Sequence, residues 1–150
     1  MNLKYRFAKE NDLEELVNIN IRDENKYRKI DTKMFLELIP EKRVIIALEN
    51  QKIVGLIYFM KQFLDRTDIF YIQQITIPKK YRRKGIALKL LKSYLKHMKK
   101  IGAKKVMADI HDDNVPSILM CLKAGAVIGG YFSGLSTNNK DKILLMRFDL

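Results

Sequence analysis

The chain has a single cysteine, Cys121. An internal disulfide framework and a cysteine-rich zinc site are therefore both excluded. Long apolar runs are missing too: none reaches the roughly 18 residues a membrane span needs. The stretch MNLKYRFAKE holds no apolar signal core, so a cytoplasmic location is expected. Internal repeats, low-complexity tracts and linker compositions are absent as well. Acidic residues are the minority charge, 17 against 29 basic ones, for a net charge of +12. That imbalance has two readings. One is an anionic partner: nucleic acid, a membrane surface or a phosphorylated cofactor. The other is a set of lysine-rich, solvated helix faces. The lysines spread along the whole chain, which favours the second reading, and only Lys79 to Lys84 is locally dense. A recognition motif with interleaved surface aromatics is lacking, so nucleic acid is disfavoured as a partner.

What is present suits one globular domain. The chain has 150 residues, and 47% are hydrophobic, enough for a sizeable core. Tyr5 and Phe7 alternate with Lys4 and Arg6, which predicts a strand from about Leu3 to Ala8. Asn11 stands three before Glu14, a capping-box spacing. A first helix through Leu13, Leu16 and Val17 then runs to about Glu24. The charged segment RDENKYRKI reads as an exposed loop. Asp31 or Thr32 caps a short second helix, and Pro40 stops it. VIIAL and KIVGLIYFM, joined by ENQ, predict a hairpin covered on both faces. A fourth strand ends at Pro78. In the third helix Ala87, Leu88, Leu91, Tyr94, Leu95, Met98 and Ile101 recur at spacings of three and four, with Gly102 as its C-terminal cap. KKVMADI is a fifth strand. Asn114 caps a fourth helix that ends at Gly125. A sixth strand covers Ala126 to Ser133, with a bulge at Gly129-Gly130. STNNKD then turns the chain into a last strand, ILLMRF. The order β-α-α-β-β-β-α-β-α-β-β makes one α/β domain over residues 1–150 around a mixed sheet.

The stretch from Ile69 to Ile101 organises the rest. A β-rich run feeds a helix N-terminus through a turn dense in positive charge. A helix N-terminus presents unpaired N–H groups and a positive dipole end, so it is a natural seat for phosphate. At Arg82 to Ala87 the sequence reads RRKGIA. This matches the Q/R-x-x-G-x-G/A signature and resembles the acyl-CoA-dependent N-acetyltransferases of the GNAT superfamily. Some thirty residues on, NVPSILMCLKAGA is similar to that family's second block, N-x-x-A-x-x-L-Y-x-K-x-G-F, and the element order agrees along the chain.

The resemblance implies a GNAT-like fold: a mixed, mostly antiparallel sheet of six to seven strands flanked by about four helices. It implies an acyltransferase, an N-acetyltransferase, that takes acetyl from acetyl-CoA to a primary amine of a small molecule or peptide. No metal is implied. Backbone groups of Arg83, Lys84, Gly85, Ile86 and Ala87 would wrap the pyrophosphate, and Arg82, Lys79 and Lys80 would add charge. Gly85, without a Cβ, would let the backbone approach closely. Ile75 and Ile77 would pair with the pantetheine arm by strand-like hydrogen bonds. Asn114 would meet that arm from the other side, although a helix-cap role explains it equally well. A homodimer through the final strands stays open.

The implied reaction needs a neutral amine. A lysine-type amine near pKa 10.4 costs roughly 4–5 kcal/mol to deprotonate at pH 7, an α-amine near 7.8 about 1 kcal/mol. A proton acceptor and a proton donor are therefore required. Many relatives carry a glutamate on the strand before the signature. Gln73 and Gln74 stand there and cannot ionise. Asp109 occupies the position where other relatives place a glutamate, five before the asparagine, and His111 shares its face of the strand. Asp109, through water or with His111, is the candidate base; a solvated strand-end carboxylate is the alternative. Asp112 and Asp113, with Asp65 and Asp68, would form an acidic rim that draws in a cationic amine. Relatives place a tyrosine donor where this chain has Cys121. That thiol is a candidate donor, but it also reads as a small buried helix residue, in which case water or Tyr131 would serve. The substituted donor leaves a second functional reading: an acetyl-CoA-binding sensor or scaffold with weakened catalysis.

Overall fold

The computed structural model describes residues 2–22, 33–134 and 142–150. The apolar runs become strands β1 (Lys4–Phe7), β2 (Val44–Glu49), β3 (Lys52–Met60), β4 (Ile69–Thr76), β5 (Lys105–His111), β6 (Val127–Ser133) and β7 (Lys142–Asp149). The amphipathic runs become helices α1 (Leu13–Arg22), α2 (Met34–Leu38), α3 (Ile86–Lys100) and α4 (Val115–Lys123). The strands join one sheet in the order β1-β2-β3-β4-β5-β7-β6. β4 and β5 are parallel, while the pairs β1–β2, β2–β3, β5–β7 and β6–β7 are antiparallel. The expected mixed, mostly antiparallel sheet with about four helices is the observed architecture. Among the described residues no helix is long and apolar enough to cross a membrane. The chain divides into two units, Met1–Phe59 with Gln74–Tyr94, and Met60–Gln73 with Leu95–Leu150.

In the first unit the β2–β3 hairpin closes through Asn50 and Gln51, both at positive φ (49° and 66°). Two consecutive left-handed residues make the tight turn whose twist suits a hairpin. β3 is buried without a break from Ile53 to Phe59, the pattern of a strand covered on both faces. One face packs Leu56 and Tyr58 with Leu16, Phe35 and Leu38 of the first two helices. Tyr58 meets Phe35 edge-on, with ring centroids 6.1 Å apart. The other face meets α3. A Cβ on Gly55 would stand 2.5 Å from Ile77 Cδ1 and 3.5 Å from Ile86 and Leu90, so the glycine makes room for that helix to close. Phe59 packs on Tyr94 at 5.0 Å.

The start of α1 departs from the expected Asn11–Glu14 box. A single 3-10 turn covers Glu10–Asp12, and Asp12 caps it by accepting from the Lys9 N–H at 2.7 Å. Arg6 donates to the same carboxylate twice, at 2.6 and 2.8 Å. These donors hold the Asp12 carboxyl below the usual carboxylate range, the Arg6 hydrogen bond contributing most. A tertiary ion pair thus selects a cap that local spacing does not reveal. Asp31, Thr32, the segment after Arg22 and the STNNKD turn lie outside the described residues.

In the second unit β5 lies between β4 and β7. The β4–β5 ladder pairs Ile69 with Lys105 through Ile72 with Ala108. β7 follows β5 farther, from Asp149 opposite Lys105 to Ile143 opposite His111. α3 ends as expected at Gly102, whose φ of +89° suits the left-handed cap position, and Ala103 N–H reaches back to Met98 at 3.1 Å. The β6 register shifts between Ile128 and Gly130, where the bulge was expected. β6 is the sheet edge and leaves Val127, Ile128, Tyr131 and Phe132 exposed.

Candidate active site

The RRKGIA segment folds into a turn with alternating backbone handedness. Arg82 is extended (φ −66°, ψ 163°), Arg83 is left-handed (φ 62°) and Gly85 is left-handed (φ 73°). α3 begins at Ile86, and the Gly85 carbonyl accepts its first bond, from Lys89 N–H at 3.1 Å. Such alternation turns successive N–H groups toward one concavity at the helix start, the arrangement that binds anions. Nothing lies within 4 Å of where a Gly85 Cβ would be, so the concavity is open at that atom. The residues present therefore fit a phosphate group. Glycine is needed for its φ as much as for its size. Ile86 is buried and anchors the seat to the core, while Ala87 is half-buried.

The basic side chains divide. Arg82 Nε donates to the Ile77 carbonyl at 2.8 Å and so ties the loop back to the end of β4. It staples the seat rather than hanging loosely beside it. Lys80 and Lys84 lie 4.9 and 5.9 Å from the Tyr81 ring centre, cation–π distances that keep positive charge on this loop. Ile75 is half-buried on β4 beyond the last residue paired with β5. Ile77 follows the strand end; its carbonyl is taken by Arg82 and its side chain meets Gly55. Gln74 is buried, accepting from Tyr58 Oη at 3.1 Å and donating to Thr76 Oγ1 at 2.8 Å. It is a satisfied core amide. Beside this loop the first unit also holds a cavity of about 580 Å³, between Glu14, Glu15, Lys52 and Lys79 to Tyr81. Its mixed charge suits no simple anion.

The second unit carries Asp109, His111, Asn114 and Cys121. Asp109 and His111 are half-buried and share one face of β5, opposite Leu145 and Ile143 of β7. The Tyr71 hydroxyl donates to Asp109 Oδ1. Tyr71 pairs with Met107 in the parallel ladder, so Asp109 is two residues farther on the same face. The Tyr71 ring stacks on Phe63, with centroids 5.2 Å apart and planes 5° from parallel. Sequence reasoning missed Tyr71 and Phe63, because their relation to Asp109 depends on a strand register that no local motif carries. Of the expected acidic rim, Asp68 is taken up by Arg66, which donates to its two oxygens at 3.0 and 2.9 Å.

Asn114 starts α4 with its carbonyl, which accepts from Ser117 and Ile118 N–H at 3.0 and 3.1 Å. Its side chain makes no cap hydrogen bond, so the amide is left over from the helix-cap role that sequence suggested. Cys121 is 2% exposed, and burial pushes its thiol up to about 12. That value makes it a weak proton donor and matches the small buried residue it was weighed against. Tyr131 sits opposite Leu144, on the other sheet face from Asp109. Among the described residues no group of three His, Cys, Asp or Glu side chains could hold a metal.

The model of the acetyltransferase (GNAT) family matches residues 10–126. Among solved structures, the yncA protein of Salmonella typhimurium, determined with its cofactor acetyl-CoA, superposes with a TM-score of 0.84 at 18% identity, covering 100% of this chain and 95% of that one. An N-acetyltransferase from Staphylococcus aureus Mu50 gives 0.84 at 19%, covering 99% of both chains. The ribosomal-protein-S18-alanine N-acetyltransferase of Escherichia coli gives 0.82 at 16%, covering 99% of this chain and 94% of that one. At these identities the structures speak for the fold alone. A search of curated protein sequences finds no significant match.

Proposed function

The chain belongs to the acetyltransferase (GNAT) family, and from that premise we propose that it moves acetyl from acetyl-CoA to a primary amine of a small molecule or peptide, as one cytoplasmic acyltransferase domain. The observation that carries this reading is the turn at Arg83 to Ile86: left-handed backbone at Arg83 and Gly85, open space before Gly85, and a helix starting behind it. Backbone N–H groups of this turn hold the pyrophosphate, with Arg83 and Lys84 adding charge at its edge. The backbone of Ile75 and the N–H of Ile77 would pair with the pantetheine arm by strand-like hydrogen bonds, and the Asn114 amide, which makes no cap hydrogen bond, is suited to hydrogen-bond an amide. When bound, acetyl-CoA supplies an activated acetyl group.

The rest falls to the chain. Asp109 accepts the proton that a protonated amine must lose, directly or through water with His111. Its carboxylate also attracts a cationic acceptor before it is deprotonated. Water gives the compensating proton, since the Cys121 thiol is buried. That same thiol is the observation that favours the second reading, an acetyl-CoA-binding sensor or scaffold. Two measurements separate the outcomes. Isothermal titration with acetyl-CoA is expected to show stoichiometric binding; no heat of binding defeats both readings. Thiol release across a panel of amines and aminoacyl peptides, with acetyl-CoA and longer acyl-CoAs, is expected to pick out an acceptor. Binding without turnover on the whole panel leaves the sensor.

A further inference from the structure

We infer that Tyr71, braced by Phe63, is a positioning residue for the Asp109 carboxylate. The inference rests on Asp109 acting as the base in the reading above. The strand geometry carries it. Tyr71 and Asp109 lie on one face of two parallel strands, offset by two residues. A tyrosine that leans along its strand reaches just such a diagonal neighbour, and its hydroxyl donates to Asp109 Oδ1. The β4–β5 ladder stops at Ile72 and Ala108. Asp109 follows directly on that last paired residue, and the Tyr71 side chain reaches it there.

The phenol is itself held. Phe63 covers the Tyr71 ring nearly parallel to it. Phe63 is in turn fixed by a tight turn, with Arg66 N–H to Phe63 O at 3.1 Å and Phe63 N–H to Arg66 O at 3.3 Å. The two residues between them, Leu64 and Asp65, both adopt positive φ (51° and 58°) without being glycine, a costly conformation kept where the surroundings fix it. Arg66 clamps Asp68, and the Asp68 carbonyl accepts the Lys104 N–H at 2.8 Å at the threshold of β5. One chain of contacts thus runs from the β3–β4 loop through two rings to Asp109. The hydroxyl fixes one carboxylate oxygen, Oδ1. A base held by a short polar tie stays in its productive rotamer, and a base without it must be caught there.

The test is a double-mutant cycle on the full chain, with acetyl-CoA and the amine that the panel selects. Tyr71→Phe keeps the ring stack and removes the tie. It is expected to lower kcat about tenfold or more, the order of one hydrogen bond to a charged group, while the acetyl-CoA dissociation constant by titration calorimetry stays within about twofold. Phe63→Leu is expected to give a smaller loss of the same kind. In an Asp109→Asn background Tyr71→Phe is expected to cost nothing further, a non-additivity that a merely structural role would not produce. A cycle read by thermal denaturation without acetyl-CoA, built with Asp109→Ala because an asparagine oxygen would still accept from the hydroxyl, is expected to be non-additive as well. Wild-type kcat in Tyr71→Phe, or additive losses in either cycle, overturns the positioning role. Wild-type kcat in Asp109→Asn overturns the base reading instead. If no amine turns over, the thermal cycle decides alone: additivity there overturns the tie, and non-additivity upholds it.

Discussion

In the proposed function, the Arg82–Ala87 turn and the surroundings of Asp109 contribute by different means. In the turn, backbone conformation does the work: left-handed residues at 83 and 85, and a helix start at Ile86. The requirement is local, so a six-residue signature can state it. Around Asp109, side chains from three segments converge: Phe63 from a loop, Tyr71 from β4 and Asp109 from β5. Asp109 lies 38 residues from Tyr71 in sequence. A backbone site tolerates changes in the side chains around it and fails when its φ is denied. A side-chain site tolerates backbone-neutral substitutions badly wherever a partner is lost. The contrast predicts which substitutions should separate binding from chemistry.

The largest expected effect is on the chemical side. Asp109→Asn keeps the shape and removes the proton acceptor. We expect kcat to fall by roughly 10²–10⁴, the usual contribution of a positioned general base. Acetyl-CoA affinity should stay within about twofold. A matching loss of acetyl-CoA affinity would show that the two regions are not separable in this way, and the comparison would break. Next comes the seat. Gly85→Val puts a β-branched residue at φ +73°, where L-residues are disfavoured by roughly 1–2 kcal/mol and branched ones more. The dissociation constant for acetyl-CoA should rise about thirtyfold or more, by calorimetry. Lys84→Ala changes only a rim charge and should cost no more than about threefold, an effect that shrinks with added salt. If Lys84→Ala proved the worse of the two, the seat would be a charge site and not a backbone site.

These contrasts also explain what the sequence makes legible. The β2–β3 hairpin, the Gly102 cap and the Gly129-Gly130 bulge were readable because each depends on residues adjacent in the chain. The turn and helix start at RRKGIA depend on adjacent residues too. The cap of α1 was not. Asn11 and Glu14 have the right spacing, yet Asp12 does the capping, because Arg6 on β1 draws its carboxylate in. Gln74 looked like a lost glutamate at the site; its amide instead bridges Tyr58 and Thr76 in the core. Arg82 looked like a loose cation and is a backbone staple. In each case the deciding partner is one that no capping or signature motif names: Arg6 lies six residues from Asp12, Ile77 five from Arg82 and Tyr58 sixteen from Gln74. Asp109 itself was found through family resemblance, while the Tyr71 and Phe63 side chains that surround it were not.

The smallest expected effect concerns Cys121, and it sharpens the contrast from the other side. Here the family's donor position is filled by a thiol that the second unit buries to 2% exposure. With its pKa pushed up to about 12 by desolvation, only about one thiol in ten thousand is ionised at pH 8. A thiol-specific reagent should therefore label the native protein far more slowly at pH 8 than the unfolded chain, whose cysteine titrates near 8.5. Cys121→Ala should cost about 1–2 kcal/mol of stability, typical of a small buried deletion, and leave kcat within about twofold. A fall in kcat of tenfold or more, with stability kept and Cys121→Ser restoring the rate, would make this position a proton donor after all. The side-chain chemistry would then extend from β5 into α4, and water would lose the role given to it here.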